Sequence, residues 1–423
     1  MNSSFLYHAW GLYSLECVKE EYKGNTIILH VQTKKPKRVC PKCGKRHLVK
    51  NGYRIRDFIG LPIGKRKVIV RMKIQRYKCK EEGCDYDQQE SIPFVTGSRS
   101  YTHRFASYVI DLLRGMTLKD TANLLSISWD TVKEIHSTYL RRHYGRPSLE
   151  GVECIGIDEF AVRKGHVYKT IVVDLRSGRI LYVGEGRGSD ALEKFWQKVK
   201  RKKVQIKYIA TDLSPAFISS VLEHCPDAEL VFDHFHVVKL MNDKLDEIRR
   251  LQYNMEKDVN KRNVLKGTRY LLLGNGNDIF DHKYKTRLDN ALAMNEPLSK
   301  AYYLKEQLRE IWLQVSKSDA ENVLMDWVEQ AGQSKIPQLQ KMAMTLLAHR
   351  RGILAWYDCH ISTAKVEGIN NKIKVMKRNA YGFRDEEYFK LRLYALHDCH
   401  ITPNVGRPIN FQYSARLERP LKS

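Results

Sequence analysis

Cys154-Ile155-Gly156-Ile157-Asp158-Glu159-Phe160 is a short apolar run with an acid near its C-terminal end. A turn, Arg163-Lys164-Gly165-His166, separates it from a second apolar run, Tyr168 to Leu175. A third run, Arg179 to Val183, follows the turn Ser177-Gly178. Three β-rich runs divided by Gly-bearing turns predict a three-stranded antiparallel meander. A carboxylate at the end of a buried strand is costly to desolvate, and a metal ion is the usual compensation. A lone Asp in such a place is ordinarily a solvated turn residue. The reading of Asp158 therefore depends on partners, and Asp212 and Glu367 are the candidates.

The chain has 423 residues, more than one ordinary domain holds, and its 43% hydrophobic content supports real cores. Its 73 Lys and Arg against 48 acids leave a net charge of +25, which points to a polyanionic partner, nucleic acid first. A merely solubilising basic surface is the bland alternative. Against it, the excess is concentrated in Lys34–Lys80 and recurs around Glu367. Met1–Leu15 has no basic segment followed by an apolar one, and no apolar run approaches the roughly 18 residues of a membrane span. The expectation is a cytoplasmic, nucleoid-associated chain without a membrane partner. Nine cysteines in such a setting suggest reduced thiols and metal, not disulfides.

Four of those cysteines form pairs. Cys40-Pro41-Lys42-Cys43-Gly44 is a C-x-x-C knuckle, and Cys79 with Cys84 closes the segment as C-x4-C. Each pair can present two thiolates to one tetrahedral Zn²⁺ from a tight turn. His47 is an alternative ligand, and the remaining cysteines read as ordinary buried thiols. Between the pairs, Val70 to Gln75 alternates apolar with polar, as a half-buried strand does. The result is a zinc ribbon whose exposed strand carries Arg71 and Lys73 toward DNA. Residues 104–142 then carry a helix-turn-helix pattern, with a helix Leu118 to Leu125, a turn Ser126-Ile127-Ser128 with Ser128 as N-cap, and a second helix from Trp129 to about Arg142. Val132, Ile135 and Tyr139 are spaced for burial, leaving Asp130, Thr131, Lys133, Glu134 and His136 outward, where a recognition helix meets base edges. A plain helical hairpin fits the same pattern.

After Gly145-Arg146-Pro147-Ser148, a linker, the meander begins. Gly184-Glu185-Gly186-Arg187-Gly188 fits no phosphate-loop spacing and reads as a turn. Asp190 is expected to cap an amphipathic helix bearing Leu192, Phe195, Trp196 and Val199. A fourth strand, Gln205 to Thr211, ends at Asp212, and Leu213-Ser214-Pro215 starts a helix. A fifth, Glu229 to Phe232, leads into Asp233-His234-Phe235-His236. From Val237 to about His360 the periodicity is helical throughout. In Thr363-Ala364-Lys365-Val366-Glu367-Gly368-Ile369-Asn370-Asn371-Lys372-Ile373-Lys374, one acid stands among basic and amide groups. Asn371 and Lys374 lie on its helix face, where they suit phosphate contacts beside a metal-holding acid.

Three such acids suit phosphodiester chemistry. Two Mg²⁺ ions roughly 3.5–4 Å apart activate one oxygen and stabilise another, held by a few carboxylates. In this order the acids and elements resemble an RNase H-like nucleotidyl-transfer core, and the chain resembles DDE insertion-sequence transposases of the ISL-three group. The resemblance rests on Ile155 to Phe160 followed by Lys164-Gly165-His166, on Asp212 to Pro215, on Asp233 to Lys239, and on Glu367 to Lys374 followed by Tyr381-Gly382-Phe383. It covers Cys40 to about His397. It implies that Asp158, Asp212 and Glu367 form the catalytic, Mg²⁺-holding triad. It also implies that Lys374 meets DNA phosphate, with Lys372 and Asn371 beside it, and that the helical segment is an insertion in the core. The four-residue spacing of Cys79 and Cys84, where the family has two, leaves the ligand set slightly open. Asp233 could replace Asp212 as a ligand, though capping the helix after it is its ordinary role. Glu159, on the opposite side of the strand from Asp158, is not expected to share its ion.

The expected fold is multidomain α+β. A zinc-ribbon domain spans 1–98, a helix-turn-helix 99–146, the first part of the RNase H-like core 150–236, an all-helical insertion 237–361, the last part of the core 362–400, and a tail 401–423. The expected function is a DNA transposase that binds the terminal inverted repeats of its element on double-stranded DNA. It would cut there with Mg²⁺, join the end to target DNA, and work as a homodimer because paired ends need two active sites. A non-catalytic DNA-binding regulator and a structure-selective nuclease of the same fold are the rivals.

Overall fold

The computed structural model describes residues 3–35, 38–163, 167–274, 281–359 and 364–398. The turn residues Lys164-Gly165-His166, His360, Thr363, Cys399 and the tail 401–423 lie outside them. The chain divides into two compact units, the first holding the chain up to His143 and the second Tyr144–His397.

In the first unit, strands β1 (Leu15–Lys23), β2 (Thr26–Thr33), β3 (Leu48–Ile63), β4 (Arg66–Cys79) and β5 (Asp87–Gln89) form one sheet. The order is β1-β2-β4-β3, with β5 also on β4, and β2 runs parallel to β4. Val68, Val70, Met72 and Ile74 alternate inward on β4 and pack with Leu29, Phe58 and Trp10. The sheet is larger than the ribbon expected from Thr26–Gln32 and Val70–Gln75. β1 escapes a pattern search because Glu16, Lys19, Glu20 and Glu21 dilute its apolar alternation. β3 and β4 form one long hairpin, turned at Gly64 (φ +56°) and carrying Cys79 at its far end.

Three helices follow in the same unit. His103–Leu112 is capped by Thr102, whose hydroxyl accepts from Phe105 N at 3.2 Å. Leu118–Leu125 ends at Ser126 in the left-handed region (φ 49°), and Trp129–Tyr144 begins after Ser128, whose hydroxyl accepts from Thr131 N at 3.2 Å. Phe105, Val109, Ala122, Val132 and Ile135 close their core.

The second unit is built on β6 (Cys154–Arg163), β7 (Val167–Asp174), β8 (Ile180–Glu185), β9 (Tyr208–Thr211) and β10 (Glu229–Phe232), ordered β10-β9-β6-β7-β8. β6, β7 and β8 are the antiparallel meander, while β9 lies parallel to β6 and β10 parallel to β9. This is the strand order of an RNase H-like core. Ile155, Ile157 and Val172 face the helices Glu193–Lys202 and Pro215–His224 through Phe195, Trp196 and Phe217. Cys154, Phe160, Ile171 and Val173 face the helices Ala364–Asn379 and Glu386–Tyr394 through Val366, Ile369, Ile373 and Phe389. Asp190 does not cap the first of these helices. It sits inside a 3-10 turn, Ser189–Leu192, and the helix begins after it without a side-chain cap. β9 is likewise confined to the last four residues of the run from Gln205.

From His234–Met255 to Pro337–Ala348 the described chain is helical and has its own core around Leu245, Leu308, Leu324 and Trp327. The Trp327 indole donates to Leu304 O at 2.7 Å, and fully buried Lys305 donates to the carbonyls of Leu272 (3.0 Å) and Gly274 (2.6 Å). No helix among the described residues is long and apolar enough to cross a membrane.

Candidate active site and DNA-binding surfaces

Sheet register brings two of the acids together. β6 pairs with β9 as Cys154↔Tyr208, Ile155↔Ile209 and Gly156↔Ala210. Carried two residues further, that register sets Asp158 level with Asp212 on strands ~4.8 Å apart. β9 and β10 pair up to Thr211↔Phe232, so Asp233 stands level with Asp212 on the next strand. All three acids thus sit at the carboxyl edge of the parallel strands, where open sheets of this kind bind ligands. Asp233 is buried and serves as a cap. Its Oδ1 accepts from Phe235 N at 2.9 Å, and its carboxylate pairs with His234 at 3.0 Å. Asp212 Oδ1 accepts from Ser214 N at 3.1 Å as the next helix starts.

Glu367 comes from the helix Ala364–Asn379, which lies along β6. Val366 packs over Gly156, where a Cβ would stand 2.6 Å from Val366 Cγ2. The Asn370 amide donates to Asp158 Oδ2 at 2.6 Å, and Lys377 Nζ donates to Ala161 O at 2.6 Å. From Val366 to Lys377 the helix rises ~16 Å, and from Gly156 to Ala161 the strand rises ~16 Å, so the two run in step. Lys365 ties the helix start to the carbonyls of Leu175 (2.7 Å) and Arg176 (2.9 Å). Glu367 is exposed, three residues before Asn370 and hence on the same side of the helix. The three carboxylates do not gather as tightly as the zinc cysteines. Among the described residues, those four are the only group of three or more whose ligand atoms lie within 4.8 Å of one another.

The electrostatics at this edge favour a cation. Burial raises the Asp158 carboxyl above its ordinary range and the Asp212 charge adds to the rise, against the Glu159 N–H, His236 and Asn370, which oppose it. Glu159 is raised by burial and then by Asp212, so the field of that acid reaches across the strand. Asn370 Oδ1 is buried and has no hydrogen-bond partner. Two facing acids with an unsatisfied amide oxygen are a donor set that suits a hard divalent ion. Asn370 and His236 are the residues here that sequence reasoning misses. The i+4 and i+7 spacing from Glu367 selects Asn371 and Lys374, although i+3 brings Asn370 onto the same face. His236 enters the sequence reading within the string Asp233 to Lys239, with no role of its own assigned.

At the ribbon, Cys40 Sγ lies 3.8 Å from Cys84 Sγ and Cys43 Sγ 3.7 Å from Cys79 Sγ. Four sulfurs ~2.3 Å from one Zn²⁺ in a tetrahedron stand ~3.8 Å apart, so the set is dimensioned for zinc. Against the burial that would raise it, backbone N–H groups of Cys43 and Lys42 and the adjacent thiols bring Cys40 down to about 7. The wider spacing of the second pair is therefore no obstacle. His47 is not a ligand, because its ring pairs with Glu81 at 2.5 Å.

The candidate DNA contacts fare unevenly. Lys73 is exposed over the Tyr53 ring at 4.3 Å, whereas Arg71 forks onto the Asp57 carboxylate at 2.7 and 2.8 Å. On the helix Trp129–Tyr144, Thr131 and Lys133 are half-exposed, with Lys133 5.8 Å from the exposed Trp129 ring. His136 is a correction. It is buried next to Ile135, because the inward stripe is broader than the spacing of Val132, Ile135 and Tyr139 suggests. Glu134 accepts from Arg99 (3.0 Å) and Tyr101 (2.7 Å). Asn371, Lys372 and Lys374 are exposed along the Glu367 helix, with Lys374 donating to Asn371 at 3.4 Å.

Comparison with known proteins finds relatives of each part of the chain. A family model described as "Transposase" matches residues 155–393. One described as "zinc-finger of transposase IS204/IS1001/IS1096/IS1165" matches 36–84, and one described as "Helix-turn-helix domain of transposase family ISL3" matches 90–139. The chain is 33% identical over 390 residues to the transposase for insertion sequence element IS1001 of Bordetella parapertussis, covering 91% of this chain and 95% of that one. It is 26% identical to the transposase for insertion sequence element IS1557 of Mycobacterium tuberculosis, covering 83% of each. The Drosophila P element transposase strand transfer complex superposes with a TM-score of 0.41 at 12% identity, over 69% of this chain and 91% of that one.

Proposed function

We propose that this chain, which belongs to the transposase family ISL3 and is a DNA transposase, cuts and joins DNA at Asp158, Asp212 and Glu367. What supports this most is the strand register that carries Asp158 and Asp212 to one level of one sheet edge. The Glu367 helix is anchored to that same edge through Asn370. Asp158, Asp212 and Glu367 would hold Mg²⁺, which supplies charge neutralisation for the attacking and leaving oxygens when bound. Asn370 fixes the Asp158 carboxyl in its rotamer, and Lys374, Lys372 and Asn371 face the DNA phosphates along the helix. In the first step water displaces a 3′ oxygen at the element end, leaving a 3′-OH. In the second that hydroxyl attacks a target phosphodiester and expels the target's own 3′-OH, so each step exchanges one P–O bond for another.

Recognition of the terminal inverted repeats falls to the first unit, with Thr131 and Lys133 on the recognition helix and Lys73 on the zinc-bearing hairpin. Arg71, held by Asp57, contributes to that face only if its ion pair opens. Paired ends call for two copies, a homodimer on DNA at the nucleoid, with the recognition domains before about residue 146 and the cutting core divided by the helical insertion.

The test is nicking of element-end duplex by the full chain. Asp158→Asn, Asp212→Asn and Glu367→Gln should each lower Mg²⁺-dependent nicking by about 10⁴-fold or more while end binding persists. Undiminished nicking by any of them rejects that residue's role, and no nicking by the native chain favours a binding-only regulator.

A further inference from the structure

In the first unit, the boundary between the zinc-bearing hairpin and the helix-turn-helix is built as a joint, not as a tether. Residues 98–102 run back along the outer edge of β3. Ile59 N donates to Ser100 O at 2.8 Å and Thr102 N to Ile59 O at 2.9 Å, so Tyr101 makes a parallel bridge with Ile59. The Arg56 guanidinium donates to the carbonyls of Ser98 (2.9 Å) and Arg99 (3.0 Å). The same segment grips the recognition helix. Glu134 accepts from Arg99 (3.0 Å) and from the hydroxyl of buried Tyr101 (2.7 Å), and Arg99 also donates to the Thr138 hydroxyl at 3.3 Å. Arg104 adds a further tie, donating to His8 O at 2.7 Å and so fastening the helix His103–Leu112 to the helix Ser3–Trp10. Ile59 itself packs into the core of the three helices. A segment bonded through its backbone and buried through its side chains does not swing as a solvated linker does.

We propose that this joint makes the hairpin and the recognition helix one rigid reader, which accepts element ends only at a fixed spacing of two contacted DNA segments. Arg99, Tyr101 and Glu134 are its positioning residues. Orientation supports this. Ile55 pairs with Lys73 and Ile59 with Ile69. Side chains alternate along a strand, so Ile59 and Lys73 lie on one face of the sheet, and on that face Ile59 meets the helices. Thr131, Glu134 and Thr138 share one face of the helix Trp129–Tyr144. The clamp holds the last two and thereby fixes the rotation of the first turns, the part of a recognition helix that enters the major groove. One added base pair moves a segment ~3.4 Å along the duplex and turns it by about 35°. That exceeds the play of a hydrogen bond, whereas a flexible tether would follow the shift. The inference deepens the reading of Lys73, Thr131 and Lys133 as DNA contacts given above, and rests on it.

The test uses the full chain and element-end duplexes. Footprints of Lys73→Ala, and of Thr131→Ala with Lys133→Ala, assign the two protected segments. Duplexes with a base pair added or removed between those segments should bind the native chain about 10²-fold more weakly, because only one segment can be engaged at a time. Arg99→Ala with Tyr101→Phe takes both donors from Glu134 and keeps the buried ring. That double variant should bind the altered spacings within about tenfold of the natural one. Arg99→Lys should keep most of the native preference. An unchanged preference in the double variant overturns the proposal, and so does a native chain indifferent to spacing. An equal loss on every duplex overturns it too, since that marks an effect on stability or charge. Amide exchange without DNA is the independent check. The Ile59 and Thr102 amides should exchange as slowly as those of β4, and rapid exchange at both sinks the joint. Slow exchange there, with no protected segment lost in Lys73→Ala, rejects the hairpin as a DNA contact and leaves the joint standing.

Discussion

Asp158 makes two hydrogen bonds, from Glu159 N (2.7 Å) and Asn370 (2.6 Å), yet burial and Asp212 still raise its carboxyl above the ordinary range. A carboxyl whose folded value is raised favours the folded state in its protonated form. That contribution is present at low pH and lost as pH climbs through the raised value, so at neutral pH the charged acid strains the fold. Asp158→Asn should therefore melt higher than the native chain at pH 7 without divalent ions, by about 2–4 °C if the relief is about 1 kcal/mol. The gap should close toward pH 4, and Mg²⁺ should raise the melting temperature of the native chain more than that of the variant. A calorimetric scan in which the variant melts lower at pH 7 would remove this account of the site. The place of Asp212 is legible from the helix-starting Ser214-Pro215, and that of Asp158 only in part, since β6 runs past the expected strand end to Arg163 and the acid lies mid-strand. Asn370 and His236 are not, because nothing in a linear string distinguishes an amide that reaches a carboxylate 212 residues away from one facing water.

At the scale of elements, the close seat of the helix Ala364–Asn379 on β6 depends on a missing side chain. A Cβ on Gly156 would meet Val366 Cγ2 at 2.6 Å and Leu175 Cδ2 at 2.9 Å, and β-branched Val366 has little freedom to move aside. Gly156→Ala should destabilise the second unit by about 1–3 kcal/mol and depress nicking as Glu367 shifts from the sheet edge. Adding Val366→Ala should recover most of the nicking if displacement is the cause. Recovery of stability without activity would argue against it. The meander, β10 and the two helices of the helix-turn-helix follow from local pattern, and their observed bounds lie close to those expected. What pattern could not show are features set by distant partners. These are the charged strand β1, which gains its place by pairing with β2, and the inward turn of His136. Separately, the 3-10 turn that displaces Asp190 from a capping role leaves no mark in the apolar pattern.

The whole molecule carries +25, and that charge sets how it meets DNA. Each phosphate neutralised releases condensed counterions, so log affinity falls with log salt by a slope of about −0.9 per phosphate. If Lys374 meets a phosphate beside Glu367, Lys374→Ala should weaken binding to end and unrelated duplex alike and make the slope shallower by about one. Thr131 and Lys133, read as facing base edges, should behave otherwise. Thr131→Ala with Lys133→Ala should weaken end binding by about 1–3 kcal/mol for each base edge no longer read, with little change for unrelated duplex. The two variants thus separate holding from reading in one titration series, run from about 50 to about 200 mM salt. Identical losses for both on end and unrelated DNA would mean that the helix Trp129–Tyr144 supplies charge, not sequence recognition. The choice of element ends would then have to come from the zinc-bearing hairpin, whose outward Lys73 is the next residue to replace.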